Sequence, residues 1–230
     1  MLASMSPQAP DPVVRERLIE AAARVLGEEG PSGLSTRKLA AEVGTSTMAV
    51  YTHFGGLPGL VHAVVDEGFT RLAQHMADIP HSDDPLIDLA MLATAYRSNA
   101  LDNPHLYAVM FGSVPLGGFR PTREEEGRDT FDVLQAAVQR AMDAGAIDSG
   151  SAEAVAGQLW SSLHGYVMLE LAGFMRAEDG AVDDVLWPMM ANLIRSLGAG
   201  RRETEAETEV VKKALTGRQT SRSSSARRSR

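Results

Sequence analysis

The sequence predicts an all-α protein, with an N-terminal three-helix helix-turn-helix domain followed by a larger helical domain. Three observations predict it. Apolar residues recur at i, i+3 and i+4 along most of the 230 residues. Strand-like alternation of apolar and polar residues is absent. Between Ser35 and Phe54, two short helical patterns meet at Gly44, and the second leaves mostly polar residues facing outward.

Residues 1–10 contain Pro and Ser and predict a disordered leader. They lack the basic start and apolar run of a secretion signal. Asp11-Pro12 reads as an N-cap followed by proline at the first helical position. Val14, Leu18, Ala21, Ala22, Val25 and Leu26 then repeat at helical spacing until the stretch Gly27 to Gly33. Ser35 is a good N-cap for the next helix, on which Leu39, Ala40 and Val43 share a face. Ala40 is small where a second helix must cross, and Gly44 suits the left-handed turn between the two. In the helix after the turn, Val50 and Phe54 point inward, leaving Thr45, Ser46, Thr47, Thr52 and His53 outside. A short helix of this kind can lie in the DNA major groove; the same spacing also fits an ordinary helical corner.

Gly55-Gly56-Leu57-Pro58-Gly59 reads as a turn into a long helix, on which Leu60, Val61, Val64, Val65, Gly68, Phe69 and Leu72 form a stripe. It lacks the Gly-Lys-Ser/Thr ending of a phosphate-binding loop. Asp84-Pro85 opens a helix carrying Leu86, Leu89, Leu92, Ala93 and Tyr96 to about Asp102. A short aromatic helix, Pro104 to Phe111, precedes a Gly/Pro loop from Gly112 to Pro121. Thr122 caps the next helix, and Glu124, Glu125 and Glu126 in its first turn suit the helix dipole better than a metal site. That helix runs through Phe131, Leu134, Val138 and Met142 to Gly145, and two more span about Ser151–Phe174 and Val182–Leu197. The expected organisation is a leader (1–10), a helix-turn-helix domain (11–56), a larger helical domain (57–198), to which the resemblance described below assigns effector binding and dimerisation, and a charged, mostly disordered tail (199–230). Within the tail, Glu203 to Leu215 reads as a frayed helix. Thr216 to Arg230 holds five arginines and no acid. It suits weak attraction to DNA phosphates or a merely solubilising role.

There is no cysteine, which excludes disulfides, thiolate metal sites and cysteine nucleophiles. No segment approaches the ~20 apolar residues of a membrane helix. The expectation is a cytoplasmic protein with no cofactor, no bound metal and no membrane partner. The net charge of −8 counts against general nucleic-acid affinity, but acid is unevenly spread. Residues 1–55 carry −1, residues 56–200 carry −12, and the tail from Arg201 carries +5.

Arg37-Lys38-Leu39-Ala40, then Gly44, then Val50-Tyr51-Thr52-His53-Phe54 resembles the signature of tetracycline-repressor-type (TetR/AcrR) regulators. Trp160, His164 and Gly165 form a W-x-x-x-H-G pattern similar to the WHG-type C-terminal domain of some of these regulators. The resemblance implies a homodimeric, ligand-responsive transcriptional regulator, a repressor of a palindromic operator released by a small, mostly apolar effector. It implies that Arg37 bridges a guanine and that Thr47 and Met48 approach bases from the recognition helix beside Ser46. Thr36, Tyr51, Thr52 and His53 match phosphate-contacting positions. A lysine common in the family near Leu57, which touches DNA phosphate, is missing. The helices around Trp160–Phe174 and Val182–Leu197 correspond to those that pair between subunits. Leu163, Val167, Leu171, Leu186, Met189, Met190, Leu193 and Leu197 supply their apolar surface.

Trp160 and His164, one helical turn apart, offer a flat apolar surface and a titratable group that suit a ligand cavity and equally suit packing. Tyr107, Met110 and Phe111 are candidates to line the same cavity, and their spacing also fits a core stripe. Activation in place of repression stays open, because the fold does not set the sign. An enzyme is disfavoured: His53, His62, His75, His81, His105 and His164 form no H-E-x-x-H spacing, and no G-x-S-x-G occurs. A protein-interaction adaptor predicts no sequence-specific DNA affinity and no effect of Arg37→Ala.

Overall fold

The computed structural model describes residues 11–111, 127–148 and 150–198. Among them the regular elements are helical and no strand occurs. The expected leader, the Gly112–Pro121 loop, the Thr122 cap with Glu124–Glu126, and the tail from residue 199 lie outside the described residues. The helices are α1 (Pro12–Glu29), α2 (Thr36–Val43), α3 (Thr47–Phe54), α4 (Leu57–Ala77) and α5 (Pro85–Asp102). They continue with α6 (Pro104–Met110), α7 (Arg128–Asp143), α8 (Ala152–Leu171) and α9 (Trp187–Ser196). The chain divides into two compact units, residues 1–72 with 102–127 and residues 73–101 with 128–230. The N-terminal part of α4 and all of the described α6 therefore belong with α1–α3.

In the first unit, α1 begins where the Asp11 side chain accepts from the Val13 N–H at 2.9 Å, with Pro12 in its first turn. It buries Leu18, Ile19, Ala22, Val25 and Leu26 almost completely. The expected break at Gly27 does not occur: α1 continues to Glu29, and Gly27 lies against His105 of α6. Tertiary packing of α1 on α6 here outweighs the low helix propensity of glycine. Leu39, Val43, Val50, Leu60, Val61 and Val64 close the same core. Arg71 of α4 bonds to Glu67, to Glu20 on α1 and to Asn103 beside α6.

In the second unit, α8 packs on α7 and α9. Val155, Ala156, Leu159, Leu163, Tyr166 and Val167 are its buried face. It stops at Leu171, three residues before the expected Phe174, which is 79% exposed. The last helix is unbroken from Val182 to Ser196, but its first turn is not α. Val182–Leu186 forms a wide π turn, with the Trp187 N–H bonded to the Val182 carbonyl, and α9 follows. Pro188 explains this: it has no N–H for the Asp184 carbonyl, and its ring crowds that carbonyl out of the α path. Asp88 of α5, 3% exposed, pairs with Arg140 of α7 and accepts from the Ser82 N–H at 2.9 Å. This ties the segment before α5 to the unit.

Candidate nucleic-acid interface and ligand site

The reader is built by the turn between α2 and α3. Ser35 accepts from the Lys38 N–H at 3.2 Å and starts α2. Gly44 ends it with φ 72° and ψ 39°. The Thr45 N–H reaches back to Ala40 O at 2.8 Å and the Gly44 N–H to Ala41 O at 3.3 Å. This pair of bonds is a Schellman cap, which leaves the chain aimed directly into α3. Leu39, Ala40 and Val43 from α2 and Val50 from α3 are buried, while Phe54 is half-buried. The inward faces read from the sequence are thus the ones that pack.

Arg37, Ser46, Thr47, Met48, Tyr51 and Thr52 are exposed, and Thr36 and His53 are half-buried. Met48 and Tyr51 are 64% and 53% exposed, large values for such side chains. The Ser46 side chain makes no capping bond, so its hydroxyl is not engaged by the helix it precedes. Neighbouring cations are already committed: Lys38 pairs with Glu29, and Arg24 with Glu28 and Glu42. Arg37 forms no ion pair among the described residues. The unit's own acids therefore hold α2 against α1. The Arg15 guanidinium lies 5.7 Å from the Phe54 ring centre, a cation–π contact across α1 and α3.

In the second unit, Trp160 and His164 face α5. The Trp160 indole N–H donates to the Tyr96 hydroxyl at 3.1 Å, and that oxygen lies 2.9 Å from His164 Nδ1. Indole can only donate. One arrangement that satisfies both contacts runs from Trp160 to Tyr96 to an unprotonated Nδ1 of a neutral His164. Burial pushes the His164 pKa below its ordinary value, in keeping with that state. Phe131 of α7 meets the Trp160 ring edge-on with centres 6.1 Å apart.

Deeper along α8, Glu170 accepts from Arg97 of α5 through both carboxylate oxygens, Nε at 2.7 Å to one and Nη2 to the other. Their side chains are 6% and 8% exposed. Tyr166 is buried nearby, and its hydroxyl has no hydrogen-bond partner among the described residues. Burial and then the Glu170 charge raise its pKa. Sequence reasoning placed Tyr96 in the apolar stripe and missed Asp88, Arg97 and Glu170. Their signal was a charge in core register: Arg97 follows Leu89 and Ala93 at four-residue steps, and Glu170 follows Leu163 by seven.

Tyr107, Met110 and Phe111 belong to the first unit. Tyr107 is fully buried, with its ring 4.7 Å from that of Phe111, which meets Phe69 edge-on at 5.9 Å. Met110 packs on Gly68. Leu163, Val167 and Leu186, expected on a subunit surface, are buried within the chain. Leu171, Met189, Met190, Leu193 and Leu197 are half-buried. The open side of α8 carries Gly157, Ser161 and Gly165 at four-residue spacing instead. Beside it runs a groove lined by Ala154, Gly157, Gln158, Ser161, Ser162 and Leu193. Among the described residues, no three His, Asp or Glu side chains are grouped to hold a metal ion. Nor is any described helix long and apolar enough to cross a membrane.

Comparison with known proteins agrees with this architecture. Residues 18–64 match the family described as bacterial regulatory proteins, tetR family. Residues 89–193 match a tetracyclin repressor-like C-terminal domain. An uncharacterised HTH-type transcriptional regulator of Mycobacterium tuberculosis is 32% identical over 203 residues, covering 86% of this chain and 87% of that protein. An HTH-type transcriptional repressor of Streptomyces coeruleorubidus is 38% identical over 64 residues, covering 28% of this chain and 23% of its own length. The solved TetR-family regulator PfmR of Thermus thermophilus has the same fold, with TM-score 0.61, 21% identity and coverage of 81% and 100% of the two chains. With an N-terminal helix-turn-helix followed by a helical C-terminal domain, the chain belongs to the TetR family of bacterial transcriptional regulators.

Proposed function

We propose that this regulator is a cytoplasmic repressor that binds a palindromic operator as a homodimer and is released by a small, mostly apolar effector. The observation that carries the DNA reading is α3 itself, exposed along its outer face and held by the Gly44 turn beside the exposed Arg37, which has no ion pair among the described residues. Paired recognition helices would enter successive major grooves ~34–36 Å apart. Arg37 would bridge guanine O6 and N7, Ser46, Thr47 and Met48 would approach base edges, and Thr36, Tyr51, Thr52 and His53 would meet the backbone. The small-residue side of α8 and its groove support pairing with a second copy, because two such helices can approach closely.

Trp160, His164 and the linking Tyr96 hydroxyl support an effector site that is apolar with one polar anchor. A ligand that favours a geometry unsuited to DNA must weaken operator binding, and the operator must weaken the ligand equally. The test is selection of random duplexes on the purified protein, with Arg37→Ala as control. An enriched palindrome that the variant loses is expected. A folded, dimeric protein that enriches nothing at low salt would overturn the reading.

A further inference from the structure

The segment that α3 offers to a groove, Thr47-Met48-Ala49-Val50-Tyr51-Thr52-His53-Phe54, contains no Arg, Lys, Asn, Gln, Asp or Glu. These are the side chains that take guanine, adenine or cytosine through directed hydrogen bonds. The hydroxyls of Thr47, Tyr51 and Thr52 discriminate poorly, since they both donate and accept, and His53 is half-buried in the last turn, away from the end by which such helices approach base edges. What α3 presents with base-selective chemistry is apolar. Met48 is the most exposed residue among the large apolar side chains of α3, at 64%. It sits at the second helical position, in the N-terminal turn by which recognition helices approach base edges. Thymine alone among the four bases carries a methyl group in the major groove. An unbranched thioether side chain can adapt its shape to cover that methyl.

We propose that Met48 reads the 5-methyl group of a thymine in each operator half-site. Methyl recognition is then the base-selective contact of α3, and Arg37 supplies a separate contact from α2. This rests on the DNA-reading function proposed above. The commitment of Lys38 to Glu29 and of Arg24 to Glu42 points the same way, because it leaves few cations near α3 for non-selective phosphate binding.

The test uses the full chain and the operator recovered by duplex selection. Each thymine of the half-site is replaced in turn, symmetrically, by deoxyuridine, which removes only the methyl group. Titrations compare the wild type with Met48→Ala, whose exposed position leaves thermal stability unchanged as the control for folding. One thymine position is expected to weaken wild-type binding about fourfold per half-site, equivalent to ~0.8 kcal/mol for one buried methyl group. The same replacement should leave Met48→Ala unaffected. Three results would overturn the assignment while leaving the DNA reader standing: a half-site without thymine, insensitivity at every thymine, or equal sensitivity in Met48→Ala. Failure to enrich any duplex would overturn the reader and this inference together.

Discussion

Arg37 and His164 show how far single residues carry the functional argument. Arg37 stands exposed on the outer side of α2 without an ion-pair partner among the described residues, so its removal should leave folding intact. Arg37→Ala should cost ~1–3 kcal/mol at the contacted base pair and relax specificity there. Titration against operators substituted at each position reads this out, with unchanged thermal unfolding as control. His164 makes a pH prediction. Its folded pKa lies below the ordinary 6.5, and burial is the cause. Its stabilising contribution is therefore complete above about pH 6.5. It is lost as pH falls through the depressed folded value, because only the unfolded chain takes up the proton readily. Between pH 8 and pH 5 the wild type should lose more thermal stability than His164→Gln, which can still accept the Tyr96 hydroxyl and does not titrate. Parallel curves would remove His164 from the acid-sensitive groups. The sequence identified both residues, but not the Tyr96 hydroxyl that links His164 to Trp160. An i, i+4 pattern records that Tyr96 faces inward, not what its oxygen meets.

At the scale of elements, two close approaches set the reader. Gly44 adopts a left-handed conformation that costs an L-residue ~1–2 kcal/mol. Gly59 lies in the first turn of α4 against the Phe54 carbonyl at the end of α3, where an added Cβ would overlap the backbone. Gly59→Ala should therefore cost ~1–3 kcal/mol by forcing α3 and α4 apart. Gly150→Ala, with open space around it and away from the open side of α8, is the contrasting control. Urea midpoints at constant slope would distinguish them; equal midpoints would mean that α3 and α4 yield without penalty. The second unit has its own tie between elements, the buried Arg97–Glu170 pair joining α5 to α8. Arg97→Ala, which strands a carboxylate in that interior, should cost ~3–5 kcal/mol. Helix starts at Asp11, Ser35 and Ser151 were legible because capping is local chemistry. The run of α1 through Gly27 was not legible, since its cause is packing on the distant α6. Pro188 did carry the signal for the π turn, but helical periodicity continues across it and conceals the widened turn.

At the scale of the whole molecule, the open side of α8 makes the assembly testable. Gly165→Arg places a long charged side chain at an exposed position where an added Cβ meets nothing within 4 Å. The fold should tolerate it, while a second α8 crossing at that point should not. Light scattering should show a folded monomer, and operator affinity should fall because two half-sites are no longer engaged together. A variant that stays dimeric would move the subunit interface away from this face.

The sequence by itself determined the helical class, the helix-turn-helix with its Gly44 turn, and the outward positions from Arg37 to Thr52. Those features follow from neighbours within one or two turns, and residue spacing records such neighbours directly. Tertiary structure alone decided that α6 joins the unit of the reader and that, among the described residues, Lys38 and Arg24 are paired with acids while Arg37 is not. It also decided that Leu163 and Val167 are buried in the chain, leaving Gly157, Ser161 and Gly165 on the open side of α8. An apolar stripe specifies that a helix has a face to bury. Which partner buries it, and which charges meet across the contact, depends on residues far apart in sequence that only the packed chain brings together.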